Sequence, residues 1–383
     1  MLVEVLVSIV AIFLGFRFVK VDGGVKSVTD VPLINHEQCQ LLSQFGSLED
    51  LIADEATGLV YFSAGTREGR LEYFPGLSPK KTTNTTHRVF HDQVYLFDPV
   101  AETAVSLEIQ GDSVGDFVSH GISLVTGEVD NHLFFVNHKR TGSVVSVFKH
   151  TKGTTVLEHL HDFKHSAIHS PNSVAAVSPT EVYISNDHWS KNHLLRMMEV
   201  LLGPLGTTNI VHCKLDPSSL ESTCTSVVNK LAFANGLEYI AGTNEVISAE
   251  SNRGRVTRYP VLPGGKLDVE NSHSLYFNVV LDNVRRVPGT NDFVVATFPD
   301  LDQLFPALKN PASYKGTVSA RALYVRESDG YSQERVIYND DGHLLSFVTG
   351  YLYAESAGKL LGGSVLYEGL LVCKVDPKVI GDE

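Results

Sequence analysis

Positive charge is what this chain has least of. Its 31 lysines and arginines face 44 aspartates and glutamates, a net charge of −13 at pH 7, and the basic residues nowhere form a run. Nucleic-acid binding draws on clustered Lys and Arg to displace counterions, so that class of partner is excluded. Cysteine is also scarce. Cys39, Cys213, Cys224 and Cys373 are the four present, and none stands at the CxxC spacing of a structural zinc site. No Pro/Ser-rich linker or low-complexity break interrupts residues 49 to about 370. The chain therefore reads as one domain over residues 36–374, since all-β architectures commonly fill this length as a single unit.

Long apolar runs are confined to the start, where LVEVLVSIVAIFLGF is apolar from Leu2 to Phe16 apart from Glu4 and Ser8. That is short of the roughly 20 residues a membrane span needs, and the usual basic n-region of a secretory signal is missing. Residues 1–18 are expected to be either a cleaved signal peptide or a signal anchor, which places the protein in the secretory pathway, extracellular or membrane-anchored. The sequon Asn84-Thr85-Thr86 lies in the polar stretch SPKKTTNTTH, an expected glycosylated loop.

What the chain does have is a repeated phrase: a polar cluster, an apolar strand, a turn and a second apolar strand. It reads EDLIADEATGLVYFSAG from Glu49, HGISLVTGEVDNHLFFVNH from His120 and NSVAAVSPTEVYISNDH from Asn172. It returns as NGLEYIAGTNEVISAES from Asn235 and DNVRRVPGTNDFVVATF from Asp282, with a weaker copy from Leu344 to Leu366. Radially repeated sheets give this signature, and a six-bladed β-propeller is expected. One helix interrupts the strands. In KNHLLRMMEVLLGPLG, Leu194, Leu195, Met198, Leu201 and Leu202 recur at helical spacing, giving a helix near 191–202 that stops at Gly203-Pro204. It packs on the blade edges or, with the N-terminus, faces a membrane or lipid particle.

Equivalent positions of successive blades converge on a central channel. Taken singly, each leading Asn or Asp is a turn residue. Taken together, Glu49, Asn172, Asn235, Asp282 and Asn283 bring five side-chain oxygens to one axial point with two formal charges. Calcium takes 6–8 oxygen ligands and tolerates amide carbonyls beside carboxylates, whereas zinc and copper prefer His or Cys. Calcium activates water weakly, so hydrolysis at such a site needs a separate base. His120 and His138 enter and leave the second hairpin, and a histidine near its ordinary pKa suits that role.

The cysteines allow three pairings. Cys39 precedes the first blade and Cys373 ends the last, so ring closure would bring them together, while Cys213 and Cys224 flank a Pro-Ser-Ser turn where a cross-strand bridge is feasible. Four free buried thiols are the alternative.

The leader cysteine before Glu-Asp, then HGIS, VNH, PNS, FANG, LDN and a terminal cysteine resemble the paraoxonase/arylesterase family in order and spacing, as a distant member. The resemblance implies a six-bladed propeller with lactonase and esterase activity and a calcium at the bottom of the cleft. It implies Glu49, Asn172, Asn235, Asp282 and Asn283 as calcium ligands, His120 and His138 as the histidine pair, and Cys39–Cys373 as the closing disulfide. The family's second, buried calcium would fall on Asp50, the Ile122 carbonyl and position 173, where a serine replaces the expected aspartate, so that ion is in doubt. Thr297 stands in the region of the family's free cysteine, and Cys213 and Cys224 are extra. The expected function is calcium-dependent hydrolysis of small lactones and aryl esters, with His120 as base. The alternatives are a non-enzymatic calcium-stabilised binding module and strictosidine-synthase-like chemistry.

Overall fold

The computed structural model describes residues 25–28, 32–77, 89–111, 115–190, 195–196, 199 and 206–381. The signal or anchor segment 1–18 and the sequon at Asn84 lie outside the described residues. Of the helix expected near 191–202, only Leu195, Arg196 and Glu199 are described, and all three are helical.

The fold is all-β and propeller-like, with few helices. Four separate sheets are built on the strands Pro171–Ser178, Ala234–Ile240, Val280–Arg286 and Val348–Ala354. A fifth sheet of eight strands contains both Leu51–Ala53 and Ser119–Val125, at its two ends. Its two halves meet where Thr103–Gln110 pairs with Val156–Phe163, a parallel contact of three residue pairs, Glu108 to Gln110 against Val156 to Glu158. The sequence places these halves in separate blades. It does not reveal that their outermost strands zip together, because three parallel pairs leave no periodic trace.

The six strands that begin each phrase pack one against the next. Leu51–Ala53 touches Ser119–Val125, and contact passes through Pro171–Ser178, Ala234–Ile240 and Val280–Arg286 to Val348–Ala354, which returns to Leu51–Ala53. The approach is close. A Cβ added to Gly121 would lie 2.6 Å from Ser173 Cα, and one added to Gly236 would lie 2.6 Å from Val284 N. Glycine opens the second and fourth phrases because a neighbouring backbone occupies the side-chain space.

The apolar core lies between successive sheets. Phe134, Val136, Val145 and Val147 pack on Val174, Ile184 and Val211 of the next sheet, whose other face packs Tyr183 and Ile210 on Leu237 and Val246. Middle strands such as Glu181–Asn186 are therefore buried on both faces. Cys39–Ser47, the first strand in the chain, forms the outer edge of the last sheet, pairing Cys39 with Cys373 and Leu42 with Leu370. Disulfides join Cys39 to Cys373 and Cys213 to Cys224.

Three helices went unread in the sequence, the last of them the single turn Pro377–Ile380 that follows the final strand. Arg67–Tyr73, capped by Thr66 Oγ1, follows the first hairpin, and Leu301–Lys309, capped by Asp300, follows the fifth. Arg67–Tyr73 is short and highly charged and shows no apolar period; in Leu301–Lys309 the apolar Leu301, Leu304, Phe305 and Leu308 do stand at helical spacing, but Pro306 interrupts the run. Among the described residues no helix is long and apolar enough to cross a membrane.

Candidate active site and metal centre

Five of the six inner strands, all but Leu51–Ala53, carry an irregularity near their start, and polar residues sit on it. Antiparallel register slips between Ser119 and Ile122, Pro171 and Val174, Ala234 and Leu237, Leu281 and Val284, and Val348 and Gly350. The residues inside these breaks include His120, Asn172, Ser173, Asn235, Asp282 and Asn283. A bulge re-aims a side chain that regular pleating would send into the sheet packing. Here the same device is repeated around the ring, and it turns polar side chains toward the axis.

Glu49, His120, Asn172, Asn235 and Asp282 line one cavity of about 340 Å³. Its walls are apolar, with Phe74, Leu77, Phe298, Leu304 and Phe347 among them. Two of the helices supply part of this wall: Phe74 follows Arg67–Tyr73, and Leu304 belongs to Leu301–Lys309. Asn283 joins the same cluster from beneath, donating its amide to Glu49 Oε1 at 2.8 Å.

The decisive feature is which atoms lack partners. Glu49 Oε2 and the amide oxygens of Asn172, Asn235 and Asn283 are all buried without a hydrogen bond. Two of the amides are tied back by their nitrogens, Asn235 to Ser251 Oγ at 3.0 Å and Asn283 to Glu49. Orphaned buried polar atoms are costly and rare. Glu49 is pushed well above the usual carboxylate range, by burial first and then by Asp50 and Asp282. Asp282 is pushed up likewise, by burial and by Asp50 and Asp187. Four unpartnered oxygens, with two of the clustered residues carboxylates whose charge is disfavoured by their surroundings, form a ligand set suited to a cation. Its chemistry fits calcium. Among the described residues no three His, Cys, Asp or Glu gather into a metal-binding group, because three of these five residues are asparagines.

His120 lines the cavity, and His138 lies beside it, outside the lining. His120 Nδ1 is 3.0 Å from His138 Nε2, and His138 Nδ1 is 2.8 Å from Ser143 Oγ. His120 Nε2 is 3.7 Å from Glu49 Oε1. Phe74 packs over both rings, 4.4 Å from His120 and 4.9 Å from His138 between centroids. Burial pushes His120 down to about 3. The sequence anticipates an imidazole near its ordinary pKa; the enclosing ring wall instead keeps it uncharged at neutral pH.

The second set is assembled differently. Asp50 and the Ile122 carbonyl do meet, but around the guanidinium of Arg285, and Ser173 Oγ accepts a hydrogen bond from Leu237 N at 3.1 Å. These residues do not fit a further metal ion. Arg285 was missed in the sequence because an arginine on a strand reads as a solvated residue. A second polar group also escaped notice: Asp187, His188 and Arg196 line the cavity, with Arg196 Nη2 2.7 Å from His188 Nδ1 and His188 Nδ1 3.0 Å from Asp187 Oδ1. A signal was available, since the third phrase ends in Asn186-Asp187-His188 much as the second ends in Asn137-His138. Thr297 is buried on the strand Phe293–Phe298, with Oγ1 donating to the Arg321 carbonyl at 3.3 Å.

Comparison with known proteins agrees with the motif reading. A sequence model described as Arylesterase matches residues 30–375. Serum paraoxonase/arylesterase 1 of Mus musculus is 29% identical over 361 residues, covering 90% of this chain and 90% of its own length. The protein of the same name from Rattus norvegicus is 28% identical, also with 90% of each chain covered. Serum paraoxonase/lactonase 3 of Oryctolagus cuniculus is 22% identical over 360 residues, covering 94% of this chain and 95% of its own.

Proposed function

The chain belongs to the arylesterase family, and from that premise we propose that it is a calcium-dependent hydrolase of small lactones and aryl esters. The broad assignment to an esterase or lactonase follows from the family and from the paraoxonase relatives. One observation carries the finer reading: four orphaned oxygens of Glu49, Asn172, Asn235 and Asn283 gather beside a paired histidine. A non-enzymatic propeller has no use for an imidazole pair aimed at its ion.

The residues that would hold the ion are Glu49, Asn172, Asn235, Asp282 and Asn283. A bound calcium would polarise the substrate carbonyl and favour the negative charge that develops on its oxygen. The chain's own groups supply the rest. His120, kept uncharged by burial and so a weaker base than a free imidazole, accepts the proton of an attacking water on Nε2. Its Nδ1–H is directed at His138 Nε2, and His138 passes its own Nδ1–H to Ser143 Oγ, so the pair is locked in one tautomer. Phe74 fixes the tilt of both rings. The apolar wall of Leu77, Phe298, Leu304 and Phe347 holds the hydrocarbon part of the substrate and excludes bulk water, which strengthens each electrostatic contact inside.

We further read the eight-stranded sheet as two blades joined at their rims, which makes residues 36–374 one six-bladed propeller. The closed ring of six inner strands supports that count. The two disulfides fit an oxidising compartment, and secretion is the proposed location. The test is a panel of lactones and aryl esters assayed with calcium and with a chelator. Hydrolysis that disappears with the chelator and returns with calcium is expected; hydrolysis indifferent to the chelator would overturn the metal assignment.

A further inference from the structure

One charged side chain lies at the middle of the ring and takes no part in the chemistry above. Arg285 belongs to the strand Val280–Arg286, yet only 2% of its side chain is exposed. Its guanidinium reaches across the axis. Nε donates to Asp50 Oδ1 at 3.0 Å, and Nη2 pairs with Asp50 Oδ2, making a two-pronged ion pair. Nη2 also donates to the Ile122 carbonyl at 2.6 Å, and Nη1 donates to the Leu237 carbonyl at 3.2 Å and lies 3.6 Å from the Glu238 carboxylate. Asp50 accepts two more bonds, from Leu51 N at 2.9 Å and Ile122 N at 3.2 Å.

These partners come from the first, second and fourth phrases, and Arg285 itself comes from the fifth. The arrangement has the features of a buried cation site: a carboxylate, a second carboxylate close by and two backbone carbonyls converging on one positive charge. The positive charge is supplied covalently. We infer that Arg285 is a built-in replacement for a structural metal ion, so that the centre of this ring is held by a side chain and the chain binds no more than one calcium.

The chemistry explains why an arginine can do this. Its planar fork offers five N–H donors and matches a carboxylate with two parallel bonds, and it never loses its charge. A metal ion in that place would be removed by a chelator; a guanidinium is not. The substitution has one electrostatic consequence. A single positive charge compensates Asp50, and Glu238, the second carboxylate, is pushed up to about 7 by burial despite the attraction of Arg285.

Ser173 is not the chief obstacle to an ion here. Its hydroxyl is engaged with Leu237 N, and the space a cation would need is filled by the guanidinium.

Two measurements decide the matter. Metal content after equilibration with calcium and gel filtration should be one calcium per chain or none; two tightly held ions would overturn the inference, whatever the enzymatic activity. Separately, Arg285→Ser leaves Asp50 buried without its counter-charge, and its melting temperature should fall by roughly 5 °C. Part of that loss should return in millimolar calcium, as a rise larger than the one the wild type shows through its catalytic site. An unchanged melting temperature would show that the guanidinium is not needed there. Should Arg285→Ser fail to fold, Arg285→Met/Asp50→Asn removes both charges together and should recover a cooperative melt. A double variant no better than the single one would refute the pairing. A catalytic calcium stabilises wild type and variant alike, so the readout is the difference between their shifts, and failure of the hydrolase reading and failure of this one are distinguishable.

Discussion

The two polar clusters at the heart of the ring begin from the same sequence device and end in opposite states. Around Glu49 the bulged inner strands present oxygens and leave four without partners. One layer away, around Asp50, comparable backbone and carboxylate groups are all engaged by Arg285. The difference teaches how a protein separates a place meant for exchange from a place meant for support. A site built to bind keeps unsatisfied acceptor oxygens, because an incoming group would engage them. A supporting site satisfies its acceptors from within. Glu49 and Asp50 are adjacent in sequence, and adjacent residues on an extended chain point to opposite sides, so one dipeptide serves both.

The largest effect should come from removing a charged member of the exchanging cluster. Asp282→Ala takes away one of its two carboxylates, and calcium content and lactone turnover are both expected to fall to background. Turnover that survived with the calcium gone would erase the contrast, since the orphaned oxygens would then serve no metal.

His120→Ala comes next. It leaves the oxygen cluster intact, and turnover should drop by about 10²–10⁴-fold, the usual worth of general-base assistance, with calcium content unchanged. Single-turnover kinetics with metal analysis on the same sample separates this outcome from loss of the ion. Retention of full activity on lactones and esters alike would assign the base to another group, with His188 the nearest alternative imidazole in the cavity. A smaller loss is expected for His138→Ala, because His120 keeps its proton-accepting nitrogen and loses only the partner that fixes its tautomer.

The gentlest prediction concerns the supporting cluster. Glu238 is raised from about 4.5 to about 7 in the folded protein, chiefly by burial. It faces Arg285 and the Arg286 backbone N–H, and Asp50 adds to the rise. A carboxyl that binds its proton more tightly when folded contributes fully to stability below its unfolded pKa. That contribution is lost as pH rises through the folded value. Stability should thus decline by about 3 kcal/mol between pH values of about 4.5 and about 7 on this account. Glu238→Gln should flatten the decline; urea melts of both proteins across that range give the difference directly. Parallel curves would mean that Arg285 neutralises both carboxylates.

Much of the working cluster was legible in the chain because it repeats. The leading residues Asn172, Asn235 and Asp282 share one phase of one phrase, and a phase is visible without coordinates. The supporting cluster was only half legible. Asp50 and Ile122 could be pointed to, but Arg285 could not, since its role depends on a side chain crossing the ring axis rather than on any local pattern. The helices Arg67–Tyr73 and Leu301–Lys309 were missed for a different reason. Each is held by a cap and by the wall it completes; the first carries no apolar stripe, and the stripe of the second is one short run broken by Pro306. The rim contact between Thr103–Gln110 and Val156–Phe163 is likewise a tertiary event, three residue pairs deep.

The edge strand Cys39–Ser47 has a bearing on how the molecule comes into being. It is the earliest made of the ring's strands and the last to find its neighbour, because Glu368–Lys374 emerges only after 334 further residues separate Cys39 from Cys373. Throughout that interval Cys39 is a thiol in search of a partner, and Cys213 and Cys224 are both delivered before the correct one. Those two are 11 residues apart and directly opposite on adjacent strands. Closing so short a loop costs little entropy compared with reaching back to Cys39. The extra cysteine pair, once joined, withdraws itself from competition, and Cys39 is left to wait for the end of the chain.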